Sequence, residues 1–504
     1  MHFERGDWPW LVSLLAIGCL ILGAFALTAY RFTGGQGGVP LDDAWIHFQF
    51  ARNLARGDGL SFNPGHPTSG STAPLWTLLL AVMCLVGGDF PVAGQLLSGA
   101  CFLAVLVVTY ALGKRLTGSR WAAWLAGTVA ATNGRLVWAG LSALETCLFA
   151  ALSMLAISAH LGDRATRRYR LHTAVLFGLA ALARPEGYLL FALALADFLF
   201  ALIAQGHEPW PTRWRRLPIL PTLLFAAIVF PYLLFSLHTS GHLLPNTYHA
   251  KAVVNFLPGR DFMSVAARYL ILDNPLLLPF YLLGLILLIE RAPLLSLWSI
   301  GLPLAYAFLR AELYQHGRYL MPLIPCNTII GVVGLLEARR LAAQRGYRWR
   351  GSQIAIAVLV SLFVVVGTGW RLPEMAHFYT QNVNEINEMH VALGHWVAEH
   401  TSPDAILALN DIGAITYISE RSVVDLAGLV TPEIVLLLRT PDWDSQLVDF
   451  MAEQGVQYVI IFPNWFPGLA ARDDVLEPVH QVTLEHRSIA GGETMVVYRA
   501  HWRR

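Results

Sequence analysis

Apolar runs separated by short polar segments fill the first three quarters of the chain. They lie near 8–30, 72–88, 91–113, 121–139, 143–161, 173–184, 187–204, 218–237, 274–290, 293–309, 318–336 and 353–369. Most approach the ~20 residues that a membrane-crossing helix needs. In hydrocarbon every backbone N–H and C=O must be satisfied within its own segment, so helices are predicted throughout. After residue 369 the pattern changes. "NEINEMHVALGHWVAEH" puts Ile386, Met389, Leu393, Trp396 and Val397 on one helical face. Short β-rich runs, "AILALN" (405–410), "SVVDLAG" (422–428), "VQYVIIF" (456–462) and "TMVVYRA" (494–500), alternate with helical stretches. The prediction is a polytopic α-helical membrane region over 1–369 and a small α/β domain over 370–504.

Charge placement orients the runs. Lys/Arg-rich loops mark the cytoplasmic face; here they are "GKRLTGSR" (113–120), "GDRATRRYR" (162–170), "PTRWRR" (211–216) and "EARRLAAQRGYRWR" (337–350). With these and the N-terminus cytoplasmic, the runs from residue 91 onward cross in pairs and 72–88 is left over. That run is predicted to dip in or lie along the outer interface, leaving about 11 full spans. Merging 173–204 into one crossing and letting 72–88 span is the alternative, which the charges disfavour. The N-terminal run is longer than a signal-peptide core and has no convincing small-residue cleavage site, so it reads as a retained first span. The 31–71 loop, the 238–273 loop and everything beyond 370 then face the extracytoplasmic side of a bacterial-type plasma membrane.

Composition agrees. Of 504 residues, 55% are hydrophobic and 14% charged, against roughly a quarter in a soluble domain, and the mean hydropathy is +0.51. A net charge of +1 gives no argument for nucleic acid. The five cysteines all fall inside apolar runs with no CxxC pair, and read as small buried residues. "GGQGG" (34–38) lacks the strand–turn–helix setting of a nucleotide loop.

The unusual chemistry sits in "VPLDDAWIHFQFARNLARGDGLSFNPGHPTSGSTAPLW" (39–76). Asp42 and Asp43 stand at the start of a predicted helix, where the dipole favours carboxylates. One acid can cap that helix. Two adjacent acids at a membrane surface can also deprotonate an incoming hydroxyl, hold a divalent cation, or both. The Gly/Pro/Ser/Asn-rich stretch that follows offers backbone N–H groups and hydroxyls to a polar ligand. His66 reads as a plain loop histidine or as a titrating or metal-binding group.

These residues resemble the GT-C superfamily of polyprenyl-phosphate-sugar-dependent glycosyltransferases, whose branches include protein O-mannosyltransferases, lipid A aminoarabinose transferases and mycobacterial arabinofuranosyltransferases. The likeness runs through most of the chain: "LDDAWIHFQFARNLARGDGLSFNPG", "LSALETCLFA" (141–150), "ARPEG" (183–187), "PNTYHAK" (245–251), "HGRYLMPLIP" (316–325) and "NDIGAITYISERSVVDLAGL" (410–429). His66 departs from the pattern, standing where an acid is common.

The resemblance implies a GT-C-like membrane domain and a single inverting displacement. An acceptor hydroxyl, deprotonated by Asp42 or Asp43, attacks a sugar carried on a polyprenyl phosphate at the outer membrane surface. Glu145 is implied to face the acceptor side, against the plain reading of a helix-start carboxylate. Arg318 and Lys251 are the expected phosphate contacts; an interfacial arginine and a solvated lysine are the plain readings. Arg184 and Glu186 bracket a turn, as a local ion pair or as substrate ligands. Asn246, His249 and His316 complete the expected binding set. Asp411 holds a loop over the cleft or simply makes a turn, and Trp465 stacks on carbohydrate or anchors to the membrane. A divalent cation on Asp42 and Asp43 is permitted but not required. The acceptor is a glycan, lipid or protein, and membrane lipid is the surrounding partner. The rival classes are a transporter or flippase of lipid-linked sugars, which would show internal repeats and polar residues near mid-bilayer, and a non-catalytic glycan- or lipid-binding protein.

Overall fold

The computed structural model describes residues 3–85, 87, 89–204, 216–245, 260–309, 315–345 and 353–502. Among these, seven helices are long and apolar enough to cross a membrane, or eight if the pair Phe262–Asp273 and Leu278–Arg291, bent by 107°, counts as one span. In chain order the first nine helices are α1 (Trp8–Phe32), α2 (Asp42–Arg56), α3 (Pro74–Leu85), α4 (Phe90–Thr117), α5 (Arg120–Ala131), α6 (Gly134–Leu141), α7 (Thr146–Thr166), α8 (Leu171–Ala183) and α9 (Glu186–Ala204). Helices Ile219–Ser240, Pro293–Phe308, Ile324–Gln344 and Gln353–Gly369 follow, with the bent pair lying between the first two of them. The chain is an integral membrane protein. The 12 residues of α3 rise about 18 Å, short of a ~30 Å hydrocarbon core. The run at 121–139 is not one helix. It breaks at Asn133, whose side chain caps α6 by accepting the Leu136 N–H at 3.1 Å, and the tripeptide Thr-Asn-Gly is the signal for that break.

Beyond the membrane helices, helix Leu372–Ile386 packs back on α1, with Phe25 against Tyr379. It continues through a π-turn into Ala392–His400, and Ile386, Met389, Leu393 and Val397 are buried as their spacing predicts. Five strands follow: β1 (Ile406–Leu409), β2 (Ser422–Asp425), β3 (Tyr458–Ile461), β4 (Leu476–Thr483) and β5 (Thr494–Ala500). Their order is β2-β1-β3-β5-β4, parallel among the first three and antiparallel for β3-β5 and β5-β4. Pattern reading finds four of the five. It misses β4 because that edge strand carries Pro478, an irregular register beside it and mostly solvent-facing residues.

The segment between α1 and α3 is a wedge between the two parts. Ala44, Trp45, Phe48 and Ala51 of α2 belong to the apolar core of the membrane bundle, while Phe50 joins Phe62, Leu407, Leu409, Ile460 and Val497 beneath the sheet. The loop after α2 is tied down rather than left open. Gln49 and Asn53 donate to the Phe62 carbonyl at 2.9 and 2.8 Å, and the Asn63 amide pairs with both backbone groups of Val423, covering the free edge of β2. Ser69 bonds Ser240 and Ser71 bonds Thr77, so these hydroxyls are spent on internal contacts, and His66 is exposed.

Candidate functional site

Asp42 and Asp43 are the first two residues of α2, and neither caps it. One residue along a helix turns the side chain by ~100°, so the neighbouring carboxylates meet different partners. Asp42 faces the sheet domain. Its two oxygens accept the Gly413 and Ala414 N–H groups, each at 2.7 Å, capping the short helix Gly413–Ser419. A Cβ at position 413 would collide with Asp42, so only glycine allows this approach. Burial pushes the Asp42 carboxyl up to about 6; Asp411 adds to the rise, and His390 with the two N–H groups opposes it. Asp411 lies in the turn before the capped helix with its carboxylate 3.0 Å from His390 Nε2.

Two expected outcomes follow from this clamp. The Asp42 pKa is higher in the folded protein than in the unfolded chain, so its contribution to stability is complete below about pH 4 and lost as the pH rises through about 6. Thermal unfolding of the detergent-solubilised protein should show that decline, and Asp42→Asn should flatten it. Gly413→Ala should cost about 1–3 kcal/mol by overpacking against Asp42, read in the same unfolding experiment.

Asp43 points into the bundle and accepts a hydrogen bond from Arg318 Nη2 at 2.8 Å. His47, one turn further along α2, lies with Nε2 3.5 Å from Glu145 Oε2, an ion-pair separation. Burial pushes the His47 imidazole below its ordinary value, against the pull of Glu145 and Asp43. Glu145 immediately precedes α7, after a turn in which Ala143 adopts φ +56°. Its Oε1 accepts from Arg184 Nη1 at 2.8 Å.

Arg184 and Glu186 form the α8–α9 turn. Pro185 stops α8, and a Cβ at Gly187 would collide with the backbone of Ala180 and Ala181, so "RPEG" is first a way of making this corner tight. Glu186 accepts from Arg184 Nε and Nη2 at 2.9 and 2.7 Å and from the Tyr306 hydroxyl. The Tyr319 ring lies 5.4 Å from the Arg184 guanidinium and 5.5 Å from that of Arg318.

The fold therefore gathers Asp43, Glu145, Arg184, Glu186 and Arg318 into one network, with His47, Tyr306 and Tyr319 added. Asp42 and Asp411 form an adjoining cluster with His390. His316 is turned away, its ring 2.9 Å from Asn382 Oδ1 and packed on Trp138. Asn246, His249 and Lys251 lie outside the described residues. Trp465 is half-exposed on the sheet domain and donates to the Gly491 carbonyl at 2.9 Å. Of the added residues, His47 is legible from its i+4 spacing to Asp43; Tyr306, Tyr319 and His390 carry no local signal.

Glu145, Arg184 and Arg318 are each 5–6% exposed. Charges so deep cost several kcal/mol apiece unless paired, and the pairing is incomplete. Among the described residues, His47 Nδ1, Glu145 Oε2 and Arg318 Nε are buried without a hydrogen bond. Three unmet polar atoms in one network are what a polar ligand can satisfy. Among the described residues no three His, Cys, Asp or Glu side chains converge as a metal-binding set, and the two acids that would be permitted to share a cation each have a separate partner.

Comparison with known proteins places the arrangement. Residues 376–503 match a family described as a domain of unknown function, DUF8728. The terminal beta-(1->2)-arabinofuranosyltransferase of Mycobacterium tuberculosis is 30% identical over 350 residues, 65% of this chain and 52% of that protein. The chain thus spans about half the length of that curated relative. Among solved structures, ArnT from Cupriavidus metallidurans in the apo state superposes with a TM-score of 0.63 at 14% identity over 98% of both chains. The same protein bound to undecaprenyl phosphate gives 0.61 at 14% identity, over 97% of this chain and 98% of that one. At these identities the likeness is one of fold, and it takes in the membrane helices and the sheet domain together.

Proposed function

We propose that this integral membrane protein, whose fold is that of the GT-C glycosyltransferases, transfers a sugar from a polyprenyl phosphate to an acceptor hydroxyl. The observation that carries the reading is the Asp43–Arg318 pair with its unmet Arg318 Nε–H. One guanidinium touches the carboxylate and keeps a second buried donor for an anionic oxygen, a geometry suited to holding a base beside a phosphate. The reading is supported by the fold shared with ArnT, a protein solved with undecaprenyl phosphate bound, and by the likeness to a relative that is an arabinofuranosyltransferase.

Asp43 is the proposed base, since both oxygens of Asp42 are already occupied by backbone N–H groups. Asp43 takes the proton of the acceptor hydroxyl, whose oxygen forms the new bond to the anomeric carbon. The bond from that carbon to the phosphate oxygen breaks, and the leaving phosphate keeps the electron pair. Arg318 meets the charge that develops there, where preorganised donors act most strongly. Glu145, Arg184 and Glu186 brace the buried network, with Glu145 Oε2 and His47 Nδ1 offered to sugar hydroxyls. Attack opposite the phosphate inverts the anomeric centre.

The site is proposed to face the extracytoplasmic side, with the N-terminus cytoplasmic and the sheet domain outside. The decisive assay incubates purified protein with polyprenyl-phosphate-linked sugars and hydroxyl acceptors and reads product formation and anomeric configuration. Retained configuration would overturn the single displacement. A reporter active only outside the cytoplasm should light up when placed in the 31–71 loop and after residue 502; opposite signals would overturn the orientation.

A further inference from the structure

We infer that Arg135, His316 and Asn382 are positioning residues for Arg318, seated by the loop between β4 and β5; the inference rests on the phosphate-binding reading of Arg318. The turn that delivers Arg318 is costly to hold. Gln315, His316 and Gly317 run consecutively at φ +56°, +58° and +69°, and two of them carry side chains that rarely adopt the left-handed region. Such a turn persists where its surroundings over-determine it.

Arg135 on α6 is one such constraint. It is buried, and its Nε and Nη2 donate to the His316 and Gly317 carbonyls at 2.7 and 2.8 Å. These are the two peptide groups immediately before Arg318, so the guanidinium fork fixes the direction from which Arg318 leaves the backbone. Arg135 is itself held by Asp273 at 2.6 Å and by the face of Tyr269, 4.1 Å away. A Cβ at Gly317 would press on both Tyr269 and Arg135, which leaves no slack on this side.

The second constraint arrives from the sheet domain. His316 Nε2 lies 2.9 Å from Asn382 Oδ1, which also accepts the Trp138 indole N–H at 3.0 Å. Asn382 Nδ2 donates to Ser488 Oγ at 2.8 Å, and that hydroxyl donates to Glu385 at 2.7 Å. Glu385 also accepts the Ser488 and Ile489 N–H groups at 2.6 and 2.9 Å, so the loop joining β4 to β5 wraps one carboxylate. The relay runs from that loop through helix Leu372–Ile386 to the residue two before Arg318. Among the described residues, none of its members hydrogen-bonds to Asp43, Glu145 or Arg184. Its route to the network is through the placement of Arg318.

The test measures binding of undecaprenyl phosphate to the full chain in detergent, for Arg135→Gln, Asn382→Leu and Ser488→Ala, each alone and combined with Arg318→Gln. Ser488→Ala removes one hydroxyl from an already anchored loop and keeps the comparison available should Arg135→Gln or Asn382→Leu fail to fold. Misplacing Arg318 should weaken binding on the order of tenfold, with no further loss once Arg318 is already gone. Equal losses in both backgrounds would overturn the inference, because the residues would then act independently of Arg318. Wild-type binding by all three single variants, with Arg318→Gln weakened, would overturn the inference alone. Wild-type binding by Arg318→Gln would remove the phosphate reading, and the inference with it.

Discussion

Asp43→Asn is expected to lower kcat by about three orders of magnitude while leaving the protein folded, because positioned general bases contribute on the order of 10²–10⁴. The substitution is close to isosteric. Asn retains an oxygen for Arg318 Nη2 and Asp43 is itself 29% exposed, so the hydrogen bond to the buried guanidinium survives although its counter-charge is lost. What Asn cannot do is take up the acceptor proton as the new bond forms. An interaction of this kind is made in the transition state, so kcat and kcat/KM should fall together with little change in KM. Asp42→Asn is the informative contrast. Both oxygens of Asp42 accept N–H groups, and an amide presents a donor to one of them. Its effect should therefore fall on the seating of the helix Gly413–Ser419, read in thermal unfolding before it is read in turnover. A preparation in which Asp43→Asn keeps the wild-type rate and Asp42→Asn loses it would reverse the two assignments.

This division between adjacent acids marks how far the sequence could be read. Most of the membrane helices follow from hydrophobic runs because lipid forces one solution on the backbone, although the run at 121–139 divides at Asn133, and α2 starts at the acid pair as predicted. The sheet follows for strands with an inward apolar face and fails for β4, most of whose residues face solvent. Side-chain roles are a different matter. Asp43 meets a residue 275 positions away and Asp42 meets backbone N–H groups 371 and 372 positions away. No periodicity encodes such pairings. The motif resemblance points to Asp42, Asp43, Glu145 and Arg318 but does not tell a clamp from a base, since both are an aspartate at a helix start. His316 shows the converse. It sits in the same motif as Arg318, yet its ring faces Asn382, because His316 is itself one of three consecutive left-handed residues that turn the chain just before Arg318.

Arg318→Lys is expected to cost about 10²-fold in kcat, although it preserves the charge. Removing one preorganised donor from a developing oxyanion costs about 10²–10³, and lysine removes more than one donor's geometry. The planar guanidinium donates to Asp43 from Nη2 while Nε–H remains unmet in the buried network, so a single rigid group can hold base and phosphate in fixed relation. An ammonium on a flexible stem must choose between them. If it stays with Asp43, the leaving phosphate loses its donor. If it moves to the phosphate, Asp43 loses the contact that aims it. Ground-state affinity for the polyprenyl-phosphate-linked sugar should fall less than kcat, because the phosphate gains most of its charge as the bond to the anomeric carbon breaks. Measuring Kd and kcat on the same preparation separates the two effects. Loss confined to Kd would mean that Arg318 only anchors the donor, and the leaving group would then need its neutralising charge from Arg184, which Glu145 and Glu186 already hold.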